Sequence, residues 1–163
     1  MRLIAIDPGP RESGICILDE HYKPLEAGKT ENLLLLDNLT LPTDENSISL
    51  VIEMVGHYGT GMPAGKDVFE TCVWIGRFLQ WFEDRGITTD RLERREVKLH
   101  LCGNARARDS NIRQALVDRF APFTKNYGKG TKKNPGFFYG FASDAWQAYA
   151  LGVTYMDFCK EGK

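Results

Sequence analysis

Three acidic residues stand where acids are costly. Asp7 ends the apolar run Leu3-Ile4-Ala5-Ile6, Glu53 interrupts Leu50-Val51-Ile52-Glu53-Met54-Val55, and Asp144 follows Ser143 at the head of a segment rich in small residues. A carboxylate removed from water without a partner is expensive, so each position needs an explanation. Asp7 can cap its own turn or be held at the centre of a sheet. Glu53 can pair with an arginine or bind a metal, and Asp144 can complement a helix dipole or join the other two. Gathered in one place, the three would repel one another and demand divalent cations. Hard oxygen donors, with no Cys/His cluster at zinc spacing, point to Mg²⁺ or Mn²⁺. Two such ions are a common device for in-line attack of water on a phosphodiester.

Only a fold can gather residues so far apart. Leu3 to Asp7 reads as a strand buried on both faces, turned by Pro8, Gly9, Pro10 and Gly14 into a second strand from Ser13 to Leu18. Residues 22–29 form a third strand, kept to an edge by Pro24. A short helix over 30–39 with Thr30 as N-cap follows, then the strand carrying Glu53. The glycine-rich stretch 56–65 is expected to move, and its His57 and Tyr58 are placed to meet a substrate or to pack over the sheet edge. Lys66–Arg85 is the longest amphipathic helix before the C-terminal one. Val68, Cys72, Ile75, Leu79 and Phe82 form its core stripe, and Trp74, Phe78 and Trp81 a second one, which suggests a homodimer contact. Residues 91–96 read as a strand, followed by one helical turn. Ser110 caps a helix to Phe120, and Ser143 caps the last helix, from Asp144 to Cys159.

Net charge is −1, yet it is unevenly spread. Residues 94–133 hold 11 Lys/Arg and 3 Asp/Glu, a balance of +8 on an otherwise acidic chain. Such asymmetry suits a face for polyanions. Lys125, Lys129, Lys132 and Lys133 lie in a stretch without apolar rhythm, expected to be a flexible arm. The four cysteines form no C-x-x-C pair, so free thiols in a reducing cytoplasm are expected, in a bacterial or phage-infected cell. No basic-then-apolar leader and no long apolar run suggests secretion or a membrane span.

In order along the chain, Ile4-Ala5-Ile6-Asp7-Pro8-Gly9 with Gly14, Val51-Ile52-Glu53, Val97-Lys98 with Gly103, and Ser143-Asp144-Ala145-Trp146-Gln147-Ala148-Tyr149-Ala150-Leu151 resemble the RuvC family of Holliday-junction resolvases. That family lies in the ribonuclease H-like superfamily, and the likeness is to its short, phage-type members. The resemblance implies one α/β domain over 1–163, a mixed five-stranded sheet flanked by helices. It also implies a homodimer and paired, Mg²⁺-dependent nicking of four-way DNA junctions by two ions. Asp7, Glu53 and Asp144 fall on the family's catalytic acids, and Lys98 on a basic residue that can bind a phosphate or stabilise transition-state charge. Arg106 and Arg108 align less closely with the family's other basic residues and are expected to bind the nucleic acid. The family's fourth acid is replaced by Gln147, whose amide oxygen can coordinate a metal but adds no charge. Other readings remain: a ribonuclease H-like nuclease for RNA or other branched DNA, or a junction-binding protein with weak catalysis. A phosphate loop of the actin-like ATPases would need a second lobe that a chain this short does not offer.

Overall fold

The computed structural model describes residues 2–39, 48–56 and 65–163; His57 and Tyr58 lie outside them. Strands β1 (Arg2–Asp7) and β2 (Glu12–Asp19) form an antiparallel hairpin, with Asp7 opposite Gly14. β3 (Pro24–Glu31) adds antiparallel to β2, and Pro24 takes its first position, where no ladder donor is lost. β4 (Ile48–Met54) runs parallel to β1, and β5 (Thr88–Glu93) parallel to β4. The order β3-β2-β1-β4-β5 is the expected mixed five-stranded sheet, and it puts β1 in the middle.

Helices cover both faces because the strands are apolar on both. Leu3, Ala5, Cys16, Leu18 and Val51 point to one side. There they meet Val97 of α3 (Arg94–Cys102), Ile112 and Leu116 of α4 (Asp109–Phe120), and the buried side of α5 (Ser143–Glu161). Ile4, Ile6, Ile15, Leu50 and Ile52 point to the other side, against Leu35 of α1 (Asn32–Asn38) and Ile75, Phe78 and Phe82 of α2 (Lys66–Glu83). The two-residue period of a strand therefore assigns Asp7 and Glu53 to the α5 face, the face of Ala5 and Val51.

Several local expectations are corrected. The fifth strand stops at Glu93, because the Glu93 N–H donates to Glu96 Oε2 at 2.7 Å and the pair forms a capping box. Arg94 thus begins a nine-residue helix rather than ending a strand. Thr30 lies within β3, so α1 starts after Glu31; α4 starts after Arg108 and α5 after Ala142, without a Ser or Thr side-chain cap. In α2 the inward stripe is Thr71, Ile75, Phe78 and Phe82. Phe78 is fully buried and belongs to the core, whereas Val68 faces outward with Phe69 and Val73. Trp74 and Trp81 are half-buried, each under an arginine, Arg77 and Arg85 at 4.0 and 3.6 Å.

The lysine-rich stretch is not a loose arm. A 3₁₀ turn at Asn126–Gly128 and a bridge between Gly130 and Pro135 fold it back on itself. Gly128, at φ 69°, is buried so closely that a Cβ would stand 2.6 Å from that of Ala121. The backbone of Gly136 packs directly on Gly128, and Phe138 roots the loop in the core.

Candidate active site

Asp7 and Glu53 close two neighbouring parallel strands. Ile6 pairs with Ile52, so the next residues stand side by side at the carboxyl ends, where α/β sheets place their sites. Asp144 arrives from α5. The start of that helix crosses β2 at Gly14, where a Cβ would lie 2.6 Å from the Asp144 carbonyl oxygen and 3.1 Å from its Cβ. Only a residue without a side chain lets the helix come this near the strand that holds Asp7. The turn after Asp7 is fixed from the side: buried Ser13 donates to Asn32 Oδ1 at 2.6 Å, and Asn32 Nδ2 donates to the Gly9 carbonyl at 2.9 Å.

The far end of α5 is clamped as well. Asp157 accepts from Arg119 at 2.6 and 2.9 Å, from Tyr22 Oη at 2.7 Å, and lies 2.7 Å from His100 Nε2. Burial pushes its carboxyl up, but the bonds from Arg119, His100 and Tyr22 outweigh this and hold it well below the usual range.

Electrostatics show the acids acting on one another. The carboxyl of Asp7 is pushed up to about 7, first by burial and then by the charge of Glu53; Arg94 opposes this, and Asp144 and Asp109 add to it. Glu53 is also raised by burial, with Arg94 pulling the other way. Arg94 lies 3.2 Å from Glu53 Oε2 and 2.7 Å from Asp109 Oδ1. Lys29 joins Glu12 at 3.0 Å and Asp144 at 3.3 Å. The arginine pairing considered for Glu53 is thus present. With these cations in place, no three His, Cys, Asp or Glu among the described residues form a ready metal cluster.

Arg94, Lys29 and Asp109 are the site residues that sequence reasoning missed. Extending the fifth strand to 96 concealed Arg94. Ended at Glu93, in register with Met54, the same strand presents Arg94 beside Glu53. Lys98 lies on α3 and lines a cleft of about 740 Å³ with Glu53, Met54, Arg94, Arg95 and Arg106. Arg108 sits exposed at the start of α4, and the cleft is lined without it. Lys125, Lys129, Lys132 and Lys133 lie on the folded-back loop. Gln147 is one helical turn beyond Asp144, and its Oε1 is buried without a hydrogen-bond partner. An unpartnered carbonyl oxygen one turn from Asp144 is a hard donor, as the carboxylates are, so the donor types present fit a divalent ion in chemistry.

Two solved structures are similar across nearly the whole chain. The Thermus thermophilus RuvC structure matches with a TM-score of 0.68 at 15% identity, covering 99% of this chain and 97% of that one. T. thermophilus RuvC in complex with Holliday junction substrate matches with a TM-score of 0.68 at 13% identity and the same coverage. The sequence matches no family model and no curated protein. The chain therefore has the RuvC, ribonuclease H-like fold.

A raised carboxyl has a definite linkage. The contribution of Asp7 is fully present below its ordinary value of 3.8 and is lost as pH rises through about 7. In chelator, Asp7→Asn should therefore be more stable than the parent, with a gap that widens from pH 5 to 7 and levels off above. Its slope is at most about 1.4 kcal/mol per pH unit. Denaturant unfolding measured across that range checks this; a constant gap would contradict the raised value.

Proposed function

We propose that this chain is a metal-dependent, structure-selective endonuclease that resolves four-way or similarly branched DNA by phosphodiester hydrolysis. One observation carries the reading: Asp7, Glu53 and Asp144 are brought to one end of one sheet face, beside a cleft walled by Arg94, Arg95, Lys98 and Arg106. Shared fold with a RuvC solved on a Holliday junction substrate supports the same substrate class. Fold alone does not fix substrate, so the cleft's charge beside the acids matters more.

Asp7, Glu53, Asp144 and the amide oxygen of Gln147 would hold Mg²⁺ or Mn²⁺, two ions in all. Bound ions supply a water that ionises near neutral pH and charge to stabilise the leaving oxygen. The protein's own part is to position and to neutralise. Lys98, Arg95 and Arg106 hold phosphates in the cleft without reading bases. Arg94 and Lys29 neutralise Glu53 and Asp144, which would otherwise need a bound cation. The Gln147 amide contributes no charge, which shifts the site toward weaker binding of metal. The salt bridges on Glu53 and Asp144 also favour a second reading, a junction-binding protein with little catalysis.

α2 presents Val68, Phe69 and Val73 to solvent, and α1 adds Leu33 and Leu34. Leu33 of α1 and Trp74 of α2 line one cavity with Arg11, Glu12 and Glu31, so the two helices adjoin there. A homodimer through this surface would carry two identical sites for two matched cuts. Among the described residues no helix is long and apolar enough to cross a membrane.

On a synthetic four-way junction, the parent should nick with Mg²⁺ or Mn²⁺ and stop with chelator. Asp7→Asn should bind the junction equally and cut at least about 100-fold more slowly, a loss of order 3 kcal/mol in transition-state stabilisation. Binding without cutting by the parent would leave the second reading. Phe69→Glu with Val73→Glu should sediment as a monomer under conditions where the parent is a dimer; an unchanged mass would remove α2 from the interface.

A further inference from the structure

The loop after α4 holds the most exposed large hydrophobic side chain among the described residues. Phe123 is fully exposed, although Ala121, two residues before it, is buried. Its backbone has φ 61°, a left-handed conformation that bulky residues seldom adopt. Tyr127, with φ 54°, is half-exposed on the same loop. The strain is maintained by rigid neighbours. Thr124 Oγ1 donates to the Ala121 carbonyl, and glycine-to-glycine packing of 128 on 136 anchors the next turn. Phe123 is therefore held outward by the fold.

Charge identifies what it faces. Lys125, Lys129, Lys132 and Lys133 lie within ten residues of Phe123, and this segment has no acid between 119 and 143. Arg113 joins the loop to the site: its guanidinium is 5.3 Å from the Tyr127 ring and 5.6 Å from the Trp146 ring, and Trp146 adjoins Gln147. An exposed aromatic ring on a loop rich in lysine and without acids is a poor match for a basic protein surface. It suits a nucleic acid whose phosphates meet the lysines and whose base meets the ring. Bases inside a duplex are covered on both faces, so the ring needs an unpaired or unstacked one, such as a branch point offers.

We infer that Phe123 is a base-stacking residue that captures an unpaired base of the nucleic acid, with the loop lysines as its phosphate clamp. This rests on the reading of the chain as a binder of branched DNA, and adds to it where the branch is sensed.

The test is binding in chelator, so that no cutting intervenes, followed by anisotropy on a four-way junction, a single strand and a blunt duplex over a range of salt. Phe123→Ala should bind the junction and the single strand roughly tenfold more weakly, bind duplex unchanged, and keep the parent's salt slope. Phe123→Trp should restore binding. Neutralising the four lysines should instead flatten the salt slope. A 2-aminopurine at the branch should be quenched by the parent and not by Phe123→Ala. The side chain is exposed, so thermal unfolding of the variant should match the parent. Equal binding of parent and Phe123→Ala to the junction would overturn the stacking role and leave the nuclease reading intact. Failure of the parent to bind any branched or single-stranded DNA would overturn both.

Discussion

Two largely desolvated carboxylates on neighbouring strands, Asp7 and Glu53, whose protons are held more tightly than usual, are the constraint on which this structure turns. Asp7 is buried beside Glu53, with Asp144 and Asp109 within electrostatic reach. Such a group is unstable unless positive charge is supplied. Here Arg94 supplies it to Glu53 and Asp109, and Lys29 to Asp144. These side chains neutralise Glu53, Asp109 and Asp144, while the carboxyl of Asp7 stays raised. A divalent ion, if bound there, would supply more positive charge to the same carboxylates, beside a cleft that Arg94 already lines with Arg95, Lys98 and Arg106. Metal binding and phosphate binding would then draw on one pool of charge.

The rest of the fold serves to bring the acids to this point. Hairpin and crossover put Asp7 and Glu53 in register on adjacent strands, and strand alternation turns both toward α5. Small residues let α5 approach: a Cβ at Gly152 would come 2.7 Å from Leu18 and 3.2 Å from Ala5, much as one at Gly14 would strike Asp144. The clamp on Asp157 fixes the other end of the same helix. Strand-end acids are thereby held on rigid elements, and a mostly buried Arg94 and a half-exposed Lys29 supply the cations that neutralise them.

Much of this was legible because burial leaves a period in the sequence. Unbroken apolar runs ending in an acid identified β1 and β4, Pro24 identified the edge, and the small residues of α5 announced close packing. What escaped depended on partners distant in sequence. Arg94 was hidden by a capping box that only Glu93 and Glu96 together create. Phe78 falls on an outer stripe by periodicity because α2 is apolar on two sides, and only the strands' positions decide which side is core. Lysines carry no packing signal, so the order of the lysine loop, which comes from two glycine backbones that meet across it, leaves no trace in sequence. His57 and Tyr58 fall outside the described residues.

The most direct measurement is a calorimetric titration of Mn²⁺ into the purified chain and into Glu53→Gln. If the carboxylates form a cation site in which Arg94 is the resident charge, the parent should take up two ions per chain, and the variant should bind at least about tenfold more weakly. No uptake by the parent, or equal uptake by both, would contradict the claim that these side chains make a metal centre.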